Sequence, residues 1–262
     1  NSLKDGDKTV CGQKLDSVGI IDCLEALKES WIQKKESCIN FNKTSKRYKK
    51  GVGIATCWYG CGNTALPNPS TIKIGLTNEG RISLHQGATD IGQGSNTVIA
   101  QITADAIGFS IENIDLVSPD TFLTPDCGKT SASRQTYVTG KAAYNAGLKL
   151  RAEILRLSNM GNDSLITIEK NEIIISNQGK RQKIDLSALQ LIESNYVIVA
   201  EETYDPPTTS LDENGQGIPY AVYGYGAQMA EITVDTELGL LKIDKITAAH
   251  DLGKTINPLL AE

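Results

Sequence analysis

No stretch of this 262-residue sequence approaches the roughly 18 consecutive apolar residues of a membrane-spanning helix, and no signal peptide opens it. Those absences argue against a membrane protein and make the cytoplasm the expected compartment. Histidine is nearly missing as well. With only His85 and His250, far apart in the chain, a histidine-based metal site has no candidates. The six cysteines, Cys11, Cys23, Cys38, Cys57, Cys61 and Cys127, form no C-x-x-C pair and show no zinc-site spacing, so reduced, mostly buried thiols are expected. Positive charge is short too: 26 Lys and Arg stand against 31 Asp and Glu, a formal net charge of -5. That balance argues against nucleic acid, whose binding rests on Lys and Arg neutralising phosphates. The one basic run, Lys46-Arg47-Tyr48-Lys49-Lys50, reads as a solvated loop ahead of a strand.

What is present is the composition of a globular protein, 40% hydrophobic and 22% charged, long enough to bury a real core. Residues 1–45 read as a helical segment. In DSVGIIDCLEALKESWIQKK the residues Ile20, Leu24, Leu27 and Trp31 recur at helical spacing and make one apolar stripe. From Gly51 the pattern changes to strands: Ile72, Ile74 and Leu76 alternate with polar residues, Asn78-Glu79-Gly80 turns the chain, and Ile82 and Leu84 resume the alternation. Val98, Ile99, Ile102, Ala106 and Ile107 then define a helix face that ends at Gly108, a suitable C-cap. A short strand at 114–118, a polar loop at 119–133 and a long helix at 134–157 follow. Residues 165–252 read as mostly strand, interrupted by one short helix around 186–193 and turned back at Glu237-Leu238-Gly239. The expected class is α+β with strands and helices in mixed order, divided into a helical segment (1–45) and a main domain (46–262).

Two stretches deliver small and polar residues directly into a helix start: Gly92-Gln93-Gly94-Ser95-Asn96-Thr97 and Gly128-Lys129-Thr130-Ser131-Ala132-Ser133-Arg134-Gln135. Small residues let a ligand approach the main chain, and the first turn of a helix has N–H groups without intrahelical partners. Such a place favours an anion, often a phosphate. The Gln93 amide suits a heterocycle or an oxo group, and Lys129 and Arg134 add positive charge. Helix starts favour Ser and Thr as caps without any ligand, so either loop alone also reads as an ordinary cap. The stretch is not a dinucleotide fingerprint, because the third glycine is missing, and no G-x-x-x-x-G-K-[ST] loop exists.

Three ordered motifs carry a resemblance. TDIGQG followed by NTVIAQITADAIGFSIENI resembles the E-M-G-Q-G segment of the molybdenum hydroxylases, the xanthine dehydrogenase and aldehyde oxidase family, in their large molybdopterin-binding subunit. PDCGKTSASRQTYVTGKAAYNA is similar to the family's next segment, and HDLGKTINP, His250 to Pro258, to its D-x-G-x-x-x-N-P turn. The resemblance covers nearly the whole chain and weakens before about residue 46. It implies a molybdopterin-binding domain in which Gly92 and Gln93 from one loop, and Thr130, Ser131, Ala132, Ser133, Arg134 and Gln135 from the other, wrap the pyranopterin. The metal would be held by the pterin dithiolene, leaving the protein to position the cofactor and set its electrostatics.

The resemblance further implies insertion of a water-derived oxygen into a purine, another N-heterocycle or an aldehyde, with electrons leaving through iron–sulfur clusters to FAD on other domains or subunits. The family's glutamate base lies in a G-E-P-P-like motif, and no G-E-P sequence exists here, so no catalytic residue is assigned. The expected partners are a small-molecule substrate, the remaining molybdopterin-binding part, and the iron–sulfur and flavin domains or subunits, with neither nucleic acid nor membrane. The chain then reads as a fragment, inactive alone and exposing apolar surface that favours self-association. Alternatives are a chain of a split-subunit nicotinate-type dehydrogenase and a non-catalytic scaffold or cofactor-insertion protein of the same fold. Glu201, Glu202 and Glu231 read as structural or surface groups, Cys127 as a plain buried thiol, and Trp58 and Tyr59 as packing or anchor aromatics that could instead stack on a flat substrate.

Overall fold

The computed structural model describes residues 2–62, 67–193 and 195–261 and divides into two compact units. One comprises Asn1–Cys61 and Thr208–Thr255, the other Gly62–Pro207 and Ile256–Glu262. The first 45 residues therefore do not stand alone: their helix packs within the first unit. Nor are they helical throughout, since α1 spans Ile20–Thr44 and what precedes it is a chain of turns. Asp and Gly set that difference. Gly6 and Gly12 take positive φ, and Asp5 accepts the Val18 N–H.

In the first unit β1 (Tyr48–Gly60), β9 (Tyr223–Asp235) and β10 (Leu240–Asp251) form an antiparallel sheet with β9 central. Cys23 and Leu27 of α1, flanked by Leu24 and Trp31, pack on Ala227 and Met229 with Val52, Ile54 and Ala249 around them. Alternation sends the neighbouring residues to the other face. The cross-strand rows Gly51–Ile232–Ile243, Gly53–Ala230–Ile246 and Ala55–Gln228–Ala248 lie there. Of these, Gly51, Ile232, Gly53, Ala230, Ile246, Ala55 and Gln228 line an open apolar groove of about 530 Å³ in which Ile246 is 56% exposed.

The basic run is no solvated loop. Lys49 Nζ caps α1 through the carbonyls of Asn42 and Ser45, and the Arg47 guanidinium grips Asp235 at 2.7–3.0 Å, pulling that carboxyl down to about 2. An ion pair thus ties together the unit's two chain segments. Trp58 stacks on Tyr223 with ring centroids 4.7 Å apart, while Tyr59 is exposed.

The second unit holds a four-stranded sheet in the order β4 (Ile114–Val117), β3 (Ile82–Gln86), β2 (Ser70–Thr77), β8 (Tyr196–Tyr204). The β2–β3 hairpin and the turn at residue 80 match the alternation, and only β4 pairs in parallel. Helices α2 (Ser95–Ile107) and α3 (Gly140–Ser158) bury Ile99, Ile107, Ala142, Ala146, Leu150 and Ile154 in one core with Ile72, Ile74, Ile82 and Leu84. The helices meet closely at Gly147, where a Cβ would stand 2.7 Å from that of Ala106. A second sheet, β5 (Leu165–Glu169), β6 (Glu172–Asn177) and β7 (Lys180–Asp185), is a meander that turns Ile166, Ile173 and Ile175 inward.

The helix expected at 186–193 shrinks to one 3₁₀ turn at Leu186–Ala188. The Asp185 carboxylate accepts the Ser187 N–H and starts the turn, Leu186 is buried, and the Ile192 N–H already bonds the Tyr196 carbonyl. The short fourth helix, α4 (Pro258–Ala261), begins at the N-P pair of the third motif.

Candidate functional site

Both glycine- and serine-rich loops belong to the second unit, and a hydrogen bond joins them: Thr130 Oγ1 donates to the Thr89 carbonyl at 2.7 Å. The first loop leaves β3 at Gln86, whose buried side chain accepts the Ala88 N–H and donates to Asn96 Oδ1. Gly92 and Gly94 take φ of 103° and 79°, the left-handed region that a Cβ disfavours. A Cβ at either would meet nothing within 4 Å, so the space beside this backbone is open.

The protein already places a carboxylate of its own against this loop and the helix start: Asp90 Oδ1 accepts the N–H groups of Gly92 (2.9 Å) and Gly94 (3.3 Å), and its Oδ2 that of Asn96 (3.1 Å) in the first turn of α2. Those N–H bonds, Asn96 foremost, hold the Asp90 carboxyl below the usual carboxylate range. The exposed Gln93 amide folds over the same loop, accepting from the Ile91 N–H at 2.7 Å and donating to Ser95 Oγ at 3.0 Å. Asp90 is legible in D-I-G-Q-G as an Asx residue ahead of a helix start.

The second loop opens with the Asp126 carboxylate accepting the Gly128 N–H and ends on two successive non-glycine residues at positive φ, Ala132 (52°) and Ser133 (53°). Backbone in this region is strained and persists only where its surroundings hold it. Here the surroundings are visible. The Ala132 carbonyl accepts the Gly62 N–H at 2.8 Å, and the chain then enters a π-helical turn, Gln135–Thr139, in which the Gly140 N–H reaches back to the Gln135 carbonyl. The helix expected to run unbroken over 134–157 therefore starts with a wide turn.

Arg134 faces inward rather than toward a ligand. At 1% exposure its guanidinium directs every N–H to an acceptor of the protein: Asn68 Oδ1 and the carbonyls of Asn68, Pro69, Cys127 and Lys129. Burial pushes its pKa below the usual arginine range. Gln135, also buried, donates to the Lys129 carbonyl and to Thr130 Oγ1 and accepts from Thr139 Oγ1. Of the eight residues singled out from the sequence, Arg134 and Gln135 thus lie behind the loop, while Gly92, Gln93, Ser131 and Ser133 are exposed and Thr130 and Ala132 half-buried.

A cleft of about 420 Å³ adjoins this loop, lined by Asn68, Asp126, Gly128 and Lys129 among others. Cys127 is a buried thiol, donating to the Thr71 carbonyl and accepting from the Gly87 N–H, with its pKa pushed up by burial. His85 is buried between the Leu123 carbonyl and the Tyr196 hydroxyl, and burial lowers its pKa. Glu202 pairs with Lys149 and Glu231 with Lys34.

Residues 25–262 match the molybdopterin cofactor-binding domain family. The chain is 29% identical to the putative xanthine dehydrogenase molybdenum-binding subunit of Escherichia coli (strain K12), over 100% of this chain and 35% of that protein. It is 26% identical to the aldehyde oxidoreductase of Megalodesulfovibrio gigas, over 100% of this chain and 26% of that protein. The crystal structure of the aldehyde oxidoreductase from Desulfovibrio desulfuricans superposes with a TM-score of 0.78 at 25% identity, covering 99% of this chain and 26% of that one. The chain spans about a third or less of the length of these relatives. With helices and mixed sheets of the same arrangement, and a match that runs through both loops, the chain belongs to the molybdopterin cofactor-binding domain family of the molybdenum hydroxylases.

Proposed function

We propose that this chain supplies one wall of the pyranopterin pocket of a xanthine dehydrogenase- or aldehyde oxidase-type hydroxylase. The observation that carries the reading is the Thr130–Thr89 hydrogen bond, which sets side by side the two loops that the sequence singles out. The residues fit the group. Beside Gly92 and Gly94 the backbone faces open space, Gln93 and Ser133 are exposed, and these donors and acceptors are neutral, as suits a heteroatom-rich heterocycle. Gly92, Gln93, Thr130, Ser131, Ala132 and Ser133 would line it. Arg134 and Gln135 serve from behind, holding the strained loop in shape.

When bound, the molybdenum cofactor supplies the redox centre at which an electron-poor carbon gains a water-derived oxygen. Purines, other N-heterocycles and aldehydes share that electron-poor carbon. Iron–sulfur clusters and FAD, on other domains or subunits, would carry the electrons away, and the cytoplasm is the expected setting. No described helix is long and apolar enough to cross a membrane. Elemental molybdenum and released pterin fluorescence, measured on the natural full-length protein purified with its neighbours, test the reading. Stoichiometric molybdenum and pterin support it. Their absence from the assembled complex favours the scaffold or insertion reading.

A further inference from the structure

Behind the second loop a chain of polar groups runs from β2 to the first loop, buried at Ser70, Thr139 and Gln135 and reaching the surface at Thr130 and Thr89, and its donor direction follows from the chemistry of its ends. The Lys129 carbonyl can only accept, so the Gln135 side chain must face it with its NH₂ end, at 3.2 Å. The Gln135 carbonyl oxygen must then face Thr139, whose hydroxyl is the donor. With its one proton engaged, Thr139 Oγ1 accepts from Ser70 Oγ at 2.7 Å. The second proton of the Gln135 amide goes to Thr130 Oγ1 at 3.1 Å, and the Thr130 hydroxyl donates onward to the Thr89 carbonyl, which can only accept.

Ser70, Thr139, Gln135, Thr130 and Thr89 thus form a one-way relay in the arrangement that satisfies the Gln135 carbonyl and both main-chain carbonyls. Ser70 and Thr139 have no solvent exposure and Gln135 has 4%, so water cannot replace a lost partner there.

We propose that Thr139 is a positioning residue for the two cofactor loops: its hydroxyl orients the Gln135 amide, the amide holds Thr130, and Thr130 fixes the gap to Thr89. Thr139 acts at one remove, through Gln135. The proposal rests on the cofactor reading above for its purpose but not for its geometry.

The test uses hydrogen exchange by mass spectrometry on the natural full-length protein in cofactor-free form, following peptides that cover 88–97 and 127–136. Thr139→Val should speed exchange about tenfold in both peptides, the factor that one buried hydrogen bond commands. Thr139→Ser, which keeps the hydroxyl, should restore the wild-type rates. Val138→Ala, a cavity beside the relay, should leave the two loops no faster than the β2–β8 strands. Thr130→Val, at a half-buried position, should loosen 88–97 and serves if Thr139→Val does not fold.

The proposal is overturned by unchanged loops in Thr139→Val, by a response confined to 127–136, or by Val138→Ala opening both loops equally. Pterin content of the wild type separates the two readings. Loops that open as expected in a protein that never carries pterin leave the relay standing and remove the cofactor reading. A pterin-loaded wild type whose loops ignore Thr139→Val does the reverse.

Discussion

Replacing Arg134 by methionine keeps most of the side-chain volume and deletes every donor. Five acceptors lose a hydrogen bond, of which Asn68 Oδ1, the Asn68 carbonyl and the Cys127 carbonyl are buried, while the Pro69 carbonyl is half-buried beside the cleft and the Lys129 carbonyl keeps its bond from Gln135. Only the buried three therefore count in full. At ~1–3 kcal/mol for each unsatisfied buried group, the sum is ~3–9 kcal/mol, and relief from burying a cation brings it toward the low end. A loss of ~3–5 kcal/mol is a large fraction of the ~5–15 kcal/mol that holds a domain folded. Pulse proteolysis in urea, scored on cleavage within residues 67–193, reads this unit directly. The Arg134→Met midpoint should fall steeply, with Arg134→Lys between it and wild type because an ammonium supplies three donors and no fork. A loss below about 1 kcal/mol would show that the five acceptors are readily rehydrated and would refute the view that this side chain holds the loop.

Four further outcomes follow from the same structure. Asp235 has its carboxyl at about 2, below the ~3.9 of an unfolded aspartate, so its stabilisation is complete above about pH 4 and lost as pH falls through about 2; an acid titration of unfolding should show this, and Arg47→Gln should flatten it. Gly92→Ala and Gly94→Ala meet no atom within 4 Å, yet each should cost ~1–2 kcal/mol through left-handed backbone alone, measured by thermal melting. Asp90→Ala should fray the start of α2 and raise amide exchange at Gly92, Gly94 and Asn96, while β5–β7 amides stay protected. On the open sheet face, Ile246→Lys should lower the light-scattering mass of the chain in isolation if that face drives self-association, and an unchanged mass would place the contact elsewhere.

Much of the scaffold could be read directly because its determinants are local. Ile72, Ile74, Leu76, Ile82 and Leu84 alternate strictly, and the structure pairs them as a hairpin with no exposure at any of the five. Gly108 closes α2 in the left-handed conformation, as a C-cap glycine should. Arg134 was legible as a charge but not as an inward one, because its acceptors come from residues 68–69 and 127–129 as well as from the loop's own turn. The π-turn at Gln135–Thr139 has no periodic signature that separates it from an α-helix. Thr139 and Ser70 were unmarked as well: a lone hydroxyl in the sequence gives no hint of its partner until the fold brings the two alongside.

The two units differ in how their chain is laid out, and this bears on synthesis. Nearly all of the second unit is one continuous run, Gly62–Pro207, so its hairpin, helices and both loops can collapse as soon as that run leaves the ribosome. The first unit cannot. Its central strand β9 must find β1, and the Arg47–Asp235 ion pair closes residues 188 apart in sequence. Such closure is slow because its entropy is lost before any contact forms. Until β9 is made, β1 and α1 have no sheet to join, and their apolar residues wait unprotected. A ribosome-bound chain stopped once residue 207 has emerged, with β9 still inside the ribosome, should therefore carry a protease-resistant second unit behind an N-terminal segment that chaperones still hold.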